Sequence, residues 1–581
     1  MNNTPATDGA APTPAATSTQ SPSLTRGTMI AAALAVCVAQ VGIAIPAVLN
    51  GLFQQDLGTS ASQLTWISDA FLVPVTLLEL SFGVVGDLFG RKRLLVIGAA
   101  LLAIGEFIAV LTPGLSSSTG TRVAVLLTGQ VIAGIGAAAL FPTSLAMIAA
   151  GTHTAERRNR SVTTWAAMLS FGGAISPIVG GFLARYSFGS DPNASWRWGF
   201  LFVGIVATLS ALVSWRMATN SSAPQGRSLD WPGQITIAIA LFALLFAVIQ
   251  GPTSGWGSGL VIGGFIVFVL AFVAFIAAER RSTAPLLRLD LFSNRAFAIA
   301  AVATVIGMFA FLGTAYATSI RLSSIQGFTP LKTSIAFILL NGIALVQMPL
   351  THRLMTRINP KWLLSGGMGL IFVGDLWMSQ LSAANRSIAP IIVPLALAGI
   401  GFALSVSAVT AVAVNTAPNH LAGMASGTTS LLRDFGFTLG PAVIGAVALS
   451  HATTLLHEKI SSTPALQAGL KAFQQAPQHV PAEQKASVQG AVDAVMSGPL
   501  GANAVPSTVT AGGKTEPFNP LKDAAFHALN TSYSIGFIVC AIGALVACLI
   551  AIAIPGGSRD VLIESDSLVD PEGATAANPA V

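Results

Sequence analysis

GVVGDLFGRKRLLVIG, residues 83–98, places four charges between two long apolar runs in a chain of which only 9% is charged. Asp87, Arg91, Lys92 and Arg93 are gathered here, between apolar segments at 64–86 and 94–112. A helix needs about 20 mostly apolar residues to cross the ~30 Å hydrocarbon core of a bilayer, and each segment is close to that length. The stretch therefore reads as a tight turn between two membrane spans. Its charges serve either to orient the protein or to close a gate.

The same pattern repeats outward in both directions. Apolar runs stand at 28–51, 64–86, 94–112, 123–150, 161–184, 196–215, 232–250, 257–278, 296–320, 332–350, 362–382, 388–414, 421–449 and 531–555. With 53% hydrophobic residues and a mean hydropathy of +0.72, the composition is that of a polytopic all-helical membrane protein. The 57 glycines suit helices packed backbone to backbone, as in the GxxxG pairs Gly423/Gly427 and Gly436/Gly440.

Net charge of +6 could suggest nucleic acid, but the bases follow topology. With the N-terminus inside, most of the 29 Lys and Arg lie in inner loops and tails, among them Arg91–Arg93, Arg157, Arg158, Arg280, Arg281, Arg353 and Arg357. Short outer loops receive only Arg122, Arg185, Arg197, Arg321, Lys332 and Arg386. The positive-inside rule then sets both termini in the cytoplasm of a multi-pass protein of the cell membrane and leaves no nucleic-acid footprint. Cys37, Cys540 and Cys548 fall within apolar runs with no metal or disulfide spacing, and no P-loop, zinc cluster or nucleophile constellation is found. No cofactor, metal or catalytic residue is expected. GIGAAA at Gly134–Ala139 fits a dinucleotide fingerprint, but inside a span it reads as helix packing.

The organisation expected is a disordered tail (1–27), a six-helix bundle (28–217), a linker with two extra spans (218–295), a second six-helix bundle (296–555) and a cytoplasmic tail (556–581). An outer insertion at 451–530 carries patches of helical periodicity and reads as a solvated cap or a binding element. Pro349–Lys361 echoes the opening motif at the corresponding inner loop of the second half, keeping the bases without the Asp.

GVVGDLFGRKR resembles the inner-loop signature of the major facilitator superfamily through Gly83, Asp87, Gly90, Arg91 and Lys92. FGGAISPIVGGFL (Phe171–Leu183) resembles that superfamily's fifth-span antiporter motif, with Ser176 before Pro177 where a Gly is usual. SWRWGFLF, LDWPGQ, IQGPTSGWG, ERRSTAPLLRLDLFSNRAF and AGMASGTTSLLRDFG, in that order, are similar to the fourteen-span drug:proton antiporter branch. The resemblance implies a two-bundle fold of six, two and six helices and export of small amphipathic molecules by alternating access. Protons and the lipid bilayer are its implied partners. An uncoupled facilitator or importer, or a transporter-derived receptor that binds without turnover, is the alternative.

By the same resemblance Asp87 and Arg91, with Lys92, Gly83 and Gly90, hold an inner gate. Gly173, Pro177, Gly180 and Gly181 form a pivot and seal, or else a packing bend alone. Acids within a span are costly and point to function. Asp69 lies 18 residues from Asp87, about 27 Å along a helix, toward the outer mouth; Glu79, 8 residues away, lies about 12 Å from it, nearer the midplane. Asp69, Glu79, Arg433 and Asp434 are the expected proton or substrate-charge residues, with Arg433 available to a cavity and Asp434 pairing locally or with a neighbouring base; the alternative for Asp69 is a polar residue of the outer loop. Spans three and eleven are commonly peripheral in this family, which ranks Glu106 and Asp375 lower. Two departures from the family stand out. Cys37 occupies the usual span-one Asp position and Gln130 the usual span-four Arg, so the common charge pair for proton coupling is absent.

Overall fold

The computed structural model describes residues 23–555 except 115, 153, 190–191, 223–227, 284, 417–421, 465–508, 512–513 and 517–519. Most helix starts are written locally in the sequence. Thr25, Ser118, Thr154, Asp230, Ser258, Asn294, Thr329 and Asn359 each accept a backbone N–H from the first turn of the helix that follows. Ser60 and Gln63 do so reciprocally, as a capping box.

Six spans make the first bundle. Span one is α1 (Arg26–Ala44), prolonged by a 3-10 turn at Ile45–Val48 and a short α2 (Asn50–Leu57). Span two is broken into α3 (Ala61–Asp69) and α4 (Leu72–Phe89). Next come α5 (Arg91–Val110), α6 (Thr119–Ala150), α7 (Ala155–Leu183) and α8 (Arg197–Met217). The extra pair is α9 (Trp231–Ser254) and α10 (Gly259–Arg281). The second bundle holds α11 (Arg295–Ile320), extended by a π turn through Ile325, and then α12 (Pro330–Phe337) and α13 (Ile343–Arg357), joined by a second π turn. It is completed by α14 (Pro360–Gln380), α15 (Ala389–Thr416), α16 (Ala422–Ser462) and α17 (Pro520–Ile552). Among the described residues, fourteen helices or helix runs are long and apolar enough to cross a membrane, in the positions the sequence predicts.

The insertion is shorter than expected. Helix α16 runs on to Ser462 and α17 begins at Pro520, so both spans project beyond the 451–530 limits. A two-stranded hairpin, β1 (Val509–Ala511) with β2 (Lys514–Glu516), lies in it. The helical patches expected at 465–473 and 482–495, and both terminal tails apart from 23–27, lie outside the described residues.

Within each bundle glycine brings backbones together. Gly436 is pressed on Val305 O and Gly440 on the Gly313 N of α11, where an added Cβ would lie 2.5 and 2.6 Å away. The fingerprint-like Gly134 and Gly136 are packed on the backbones of Phe71 and of Gly98–Leu102. Helix packing is their role.

The two bundles meet along α7 with α12, and along α3 and α4 with α16. Helix α9 lies over that second seam, touching α3, α4 and α16, while α10 packs on α9 and turns Leu260, Val269, Leu270 and Val273 outward. Spans seven and eight are therefore the additions to a six-plus-six core.

Candidate functional site: the seam between the bundles

On the side away from the 218–230 linker the bundles are joined by polar contacts. Asn50 Nδ2 donates to Ser319 Oγ (3.1 Å), Ser334 Oγ to Pro177 O (2.6 Å), and Thr65 and Tyr316 share a hydroxyl contact of 3.2 Å. Thr76 and Thr438 meet at 2.9 Å nearer the middle. On the linker side the seam opens into a cavity of about 1280 Å³. Its walls include apolar Leu80, Phe141 and Trp165 beside charged Glu79, Asp87 and Arg433. One mouth closed and the other open is one half of an alternating-access cycle.

The opening motif sits at the edge of this cavity. Arg91 Nη2 and Nε bind Asp87 Oδ1 at 2.7 and 3.0 Å, a charge-assisted pair one helical turn apart, with both residues buried. Arg91 also reaches Ser221 Oγ at 3.4 Å, and its backbone N–H donates to Ser221 O. Lys92 N–H donates to Asn220 Oδ1. These contacts tie the α4–α5 turn to the polar linker. Gly90 makes the turn possible: its φ is +101°, and a Cβ there would stand 3.0 Å from Asn220. Gly83 instead lines the cavity, with Pro142 Cβ an ordinary 3.7 Å from where a side chain would start.

The glycines of α7 divide between two neighbours. Gly172 and Gly180 face α1, pressed on Cys37 O and the Ile45 side chain. Gly181 faces the other bundle, where Leu331 Cα lies 2.8 Å from a built Cβ, and Pro177 O takes the Ser334 hydroxyl. Gly173 looks toward Gln40 and Asn341 with room to spare.

Glu79 is the acid at the seam. Its carboxyl stands near Asp434 and Arg433, and its Oε2 is buried without a hydrogen-bond partner among the described residues. Arg433 grips Asp434 through Nε–Oδ1 (2.7 Å) and Nη2–Oδ2 (3.1 Å), and turns a side chain 28% exposed toward the cavity. The sequence expectation of a local Arg433–Asp434 pair is met; that Glu79 reaches the pair from the other bundle is visible only in the fold. Asp69 lies near the outer end of span two, as the helical rise predicts. It is wholly buried, and neither of its oxygens accepts a hydrogen bond. Glu106 and Asp375 are also wholly buried, facing Gln130 and Thr314 respectively, on spans that, among the described residues, contact only their own bundle.

Several arginines taken for outer-loop charges are built into the helices. Arg122 pairs with Asp56 Oδ1 and donates to Asp56 O (2.6 Å) and Pro113 O (3.0 Å). Trp196 Nε1 donates to Asp56 Oδ2 at 2.7 Å, and Arg197 holds Val110 O and Thr112 O at the end of α5. Arg321 does the same for α14, donating to Met378 O and Leu381 O. A cation on the last carbonyls of a helix is favoured by the dipole. Loop counting missed these roles, although the SWRWGF motif carries two of the groups. Also missed was Gln234 of α9, which donates to Leu77 O (2.5 Å) and accepts from Ser81, bracketing the turn that presents Glu79.

Residues 30–441 match the model of the Major Facilitator Superfamily, most of the chain. The chain belongs to the Major Facilitator Superfamily. Among its relatives is the multidrug resistance protein Stp of Mycobacterium tuberculosis, 30% identical over 410 residues that cover 70% of this chain and 72% of that one. The tetracenomycin C resistance and export protein of Streptomyces glaucescens is 28% identical over 435 residues, 74% and 77% of the two chains. In fold it is like the crystal structure of a bacterial homolog of the human lysosomal transporter Spinster, with a TM-score of 0.59 at 14% identity, covering 90% of this chain and 96% of that chain. This Major Facilitator Superfamily member is a multi-pass membrane transporter with the two-bundle, fourteen-span fold.

Proposed function

We propose that the protein exports small amphipathic molecules, drugs and antibiotics among them, from the cytoplasm across the cell membrane in exchange for protons. Two of its relatives are named a multidrug resistance protein and a tetracenomycin C resistance and export protein, which supports the substrate class. Both termini lie in the cytoplasm, the mouth on the linker side faces inward, and the structure is the inward-facing half of the cycle. The machine needs no cofactor or enzymatic step. Residues 28–217 and 296–555 rock about the α7–α12 contact, where Pro177 and Gly181 form the pivot, with Gly173 and Gly180 beside them on α7. Asp87, Arg91, Lys92, Gly83 and Gly90 gate the inner mouth.

The observation that carries the proton reading is the approach of Glu79 to Asp434 and Arg433 across the seam, at the wall of the cavity. Two carboxyls brought near each other are relieved when one carries a proton. When both are ionised they repel, and a cationic amphipath entering the cavity is attracted to the surplus negative charge. Proton and substrate thus compete for one site, which is the requirement of exchange. Asp69, enclosed farther out on the same span, is the second proton site.

Sealed liposomes holding purified protein test this directly. Efflux of a fluorescent lipophilic cation is followed with and without an imposed pH gradient, for the wild type, Asp69→Asn and Glu79→Gln. Gradient-driven efflux that collapses in the variants is expected. Transport indifferent to the gradient would make the protein an uncoupled facilitator, and binding without flux would make it a receptor.

A further inference from the structure

The extra helix α9 is fastened to span two on both sides of its break at Ala70–Phe71. At the outer end Ser62 of α3 donates to Ile249 O (3.1 Å) and shares a hydroxyl contact of 3.2 Å with Thr253. At the inner end Gln234 Nε2 donates to Leu77 O of α4 at 2.5 Å, and Gln234 Oε1 accepts from Ser81 Oγ. Between these ends Trp66 of α3 and Val73 of α4 pack on the apolar cluster of Leu245, Ile249 and Ala442. The turn that carries Gln234 is itself braced. Asp230 Oδ1 accepts the Gly233 N–H at 3.0 Å, and a Cβ at Gly233 would stand 2.6 Å from Glu279 Oε1 of α10. Asp230, Gly233 and Gln234 belong to LDWPGQ, Ile249 and Thr253 to IQGPTSGWG, and Glu279 opens ERRSTAPLLRLDLFSNRAF, three motifs whose work the sequence leaves open. Leu77 and Ser81 lie one turn apart on one side of α4, and Glu79, midway between them, is about 160–200° around the helix. That is the side α16 meets. Thr76 and Thr438 touch there at 2.9 Å, with Glu79 three residues from Thr76 and Asp434 four from Thr438, both on the cavity side of the contact.

We propose that Gln234 is a positioning residue for Glu79, and that the extra spans are a splint for the broken span two. This rests on the reading of Glu79 as the exchange site. A break interrupts the ladder of backbone hydrogen bonds, and Pro74, in the first turn of α4, has no N–H to bond back across it. The angle between α3 and α4 is then held by contacts from outside the span. Helix α9 makes such contacts to both parts, and its inner one falls on the turn that carries Glu79. Two hydrogen bonds from one amide fix that turn in height and in rotation, from the side away from α16. The side that presents Glu79 stays clear for a substrate. Among the described residues, the charged groups that neighbouring helices bring toward Glu79 are Arg433 and Asp434 of α16 and Arg91 of α5, which Asp87 holds. Asp69 of α3 and Glu106 of α5 are enclosed elsewhere, α6 carries only Arg122, paired with Asp56, and α9 has no ionisable side chain between Trp231 and Ser254. Asp230 and Glu279 line the same cavity beyond Gln234.

Binding across pH tests this in the full chain. A fluorescent lipophilic cation is titrated onto purified protein in nanodiscs at pH 5 and at pH 8. Wild type should bind more tightly at pH 8, where Glu79 is ionised. Gln234→Met keeps the length of the side chain and loses both hydrogen bonds. It should weaken binding about three- to tenfold at pH 8, the scale of one hydrogen bond, and leave pH 5 unchanged, because a neutral Glu79 gains little from its place. Ser81→Ala removes one of the two bonds from the other helix and should fall between Gln234→Met and wild type, which guards against a folding defect at Gln234. Thr236→Val should match wild type, since that hydroxyl bonds the Pro232 and Gly233 carbonyls of α9 itself. Glu79→Gln should bind at the wild-type pH 5 level throughout, and adding Gln234→Met to it should change nothing further. A Gln234→Met protein with wild-type binding at pH 8 overturns the positioning role and leaves the exchange site standing. Equal weakening at both pH values that persists in the Glu79→Gln background overturns it too, because that is a loss of packing alone. Wild-type binding that ignores pH overturns Glu79 as the exchange site, and the role of Gln234 with it.

Discussion

Gly105 and Gly374 occupy the same place in the two bundles. Each stands 14 residues beyond the first residue of its helix, Arg91 of α5 and Pro360 of α14. Each is pressed on the backbone of the following span, on Gly129 and Ala133 in one bundle and on Pro394 and Ala398 in the other. Each precedes a wholly buried acid, Glu106 or Asp375. Gly98 and Gly367, seven residues earlier, repeat the arrangement against Gly136 and Gly401. The repeat that the inner loops only hint at is plain in these small residues.

Gly105→Ala and Gly374→Ala should each destabilise the protein by about 1–3 kcal/mol, because a methyl group there meets backbone that has no rotamer to yield. Gly366→Ala, in the same α14 but with nothing within 4 Å, should be neutral or gain up to about 1 kcal/mol from helix propensity. Thermal unfolding in micelles at one scan rate separates the two cases. Equal losses at Gly366 and Gly374 would refute the packing argument.

Asp56 receives Arg122, Trp196 and, at 3.9 Å, Arg197. Asp56→Ala strands a buried guanidinium and an indole N–H, so the loss should be large, about 3–5 kcal/mol. The folded fraction that survives should keep its response to a pH gradient, because the cluster lies apart from the Glu79 seam. Yield and melting temperature read the first effect, and liposome efflux per folded molecule reads the second.

At the inner turn, Gly90→Ala meets two obstacles, the positive φ and the Asn220 side chain 3.0 Å away. A cost of about 1–3 kcal/mol is expected, with slowed transport and retained substrate binding. Adding Asn220→Ala removes the contact but leaves the backbone strained, so recovery should be partial. Full recovery in the double variant would show that crowding alone demanded the glycine.

Much of this architecture is legible without coordinates, since apolar length, capping residues and the place of Lys and Arg are local properties. The spans, the Ser60–Gln63 box and the peripheral pair α9–α10 follow from them. Arg122, Arg197 and Arg321 were misread because a charge near a span end has two outcomes, solvation in a loop or burial on the carbonyls of another helix. Composition does not distinguish them. Helical rise likewise gives the depth of Asp69 but not that it is enclosed.

The sequence alone determines that this chain crosses a membrane many times, where its helices begin, and to which family of transporters it belongs. Those conclusions rest on interactions between residues close in the chain, or between a residue and the lipid. The tertiary structure decides which mouth is open, that Glu79 comes near Asp434 and Arg433, and that Tyr316 meets Thr65 across the bundles. Those groups come from helices hundreds of residues apart. They are juxtaposed by bundle packing, with the small residues of each helix setting how near it comes.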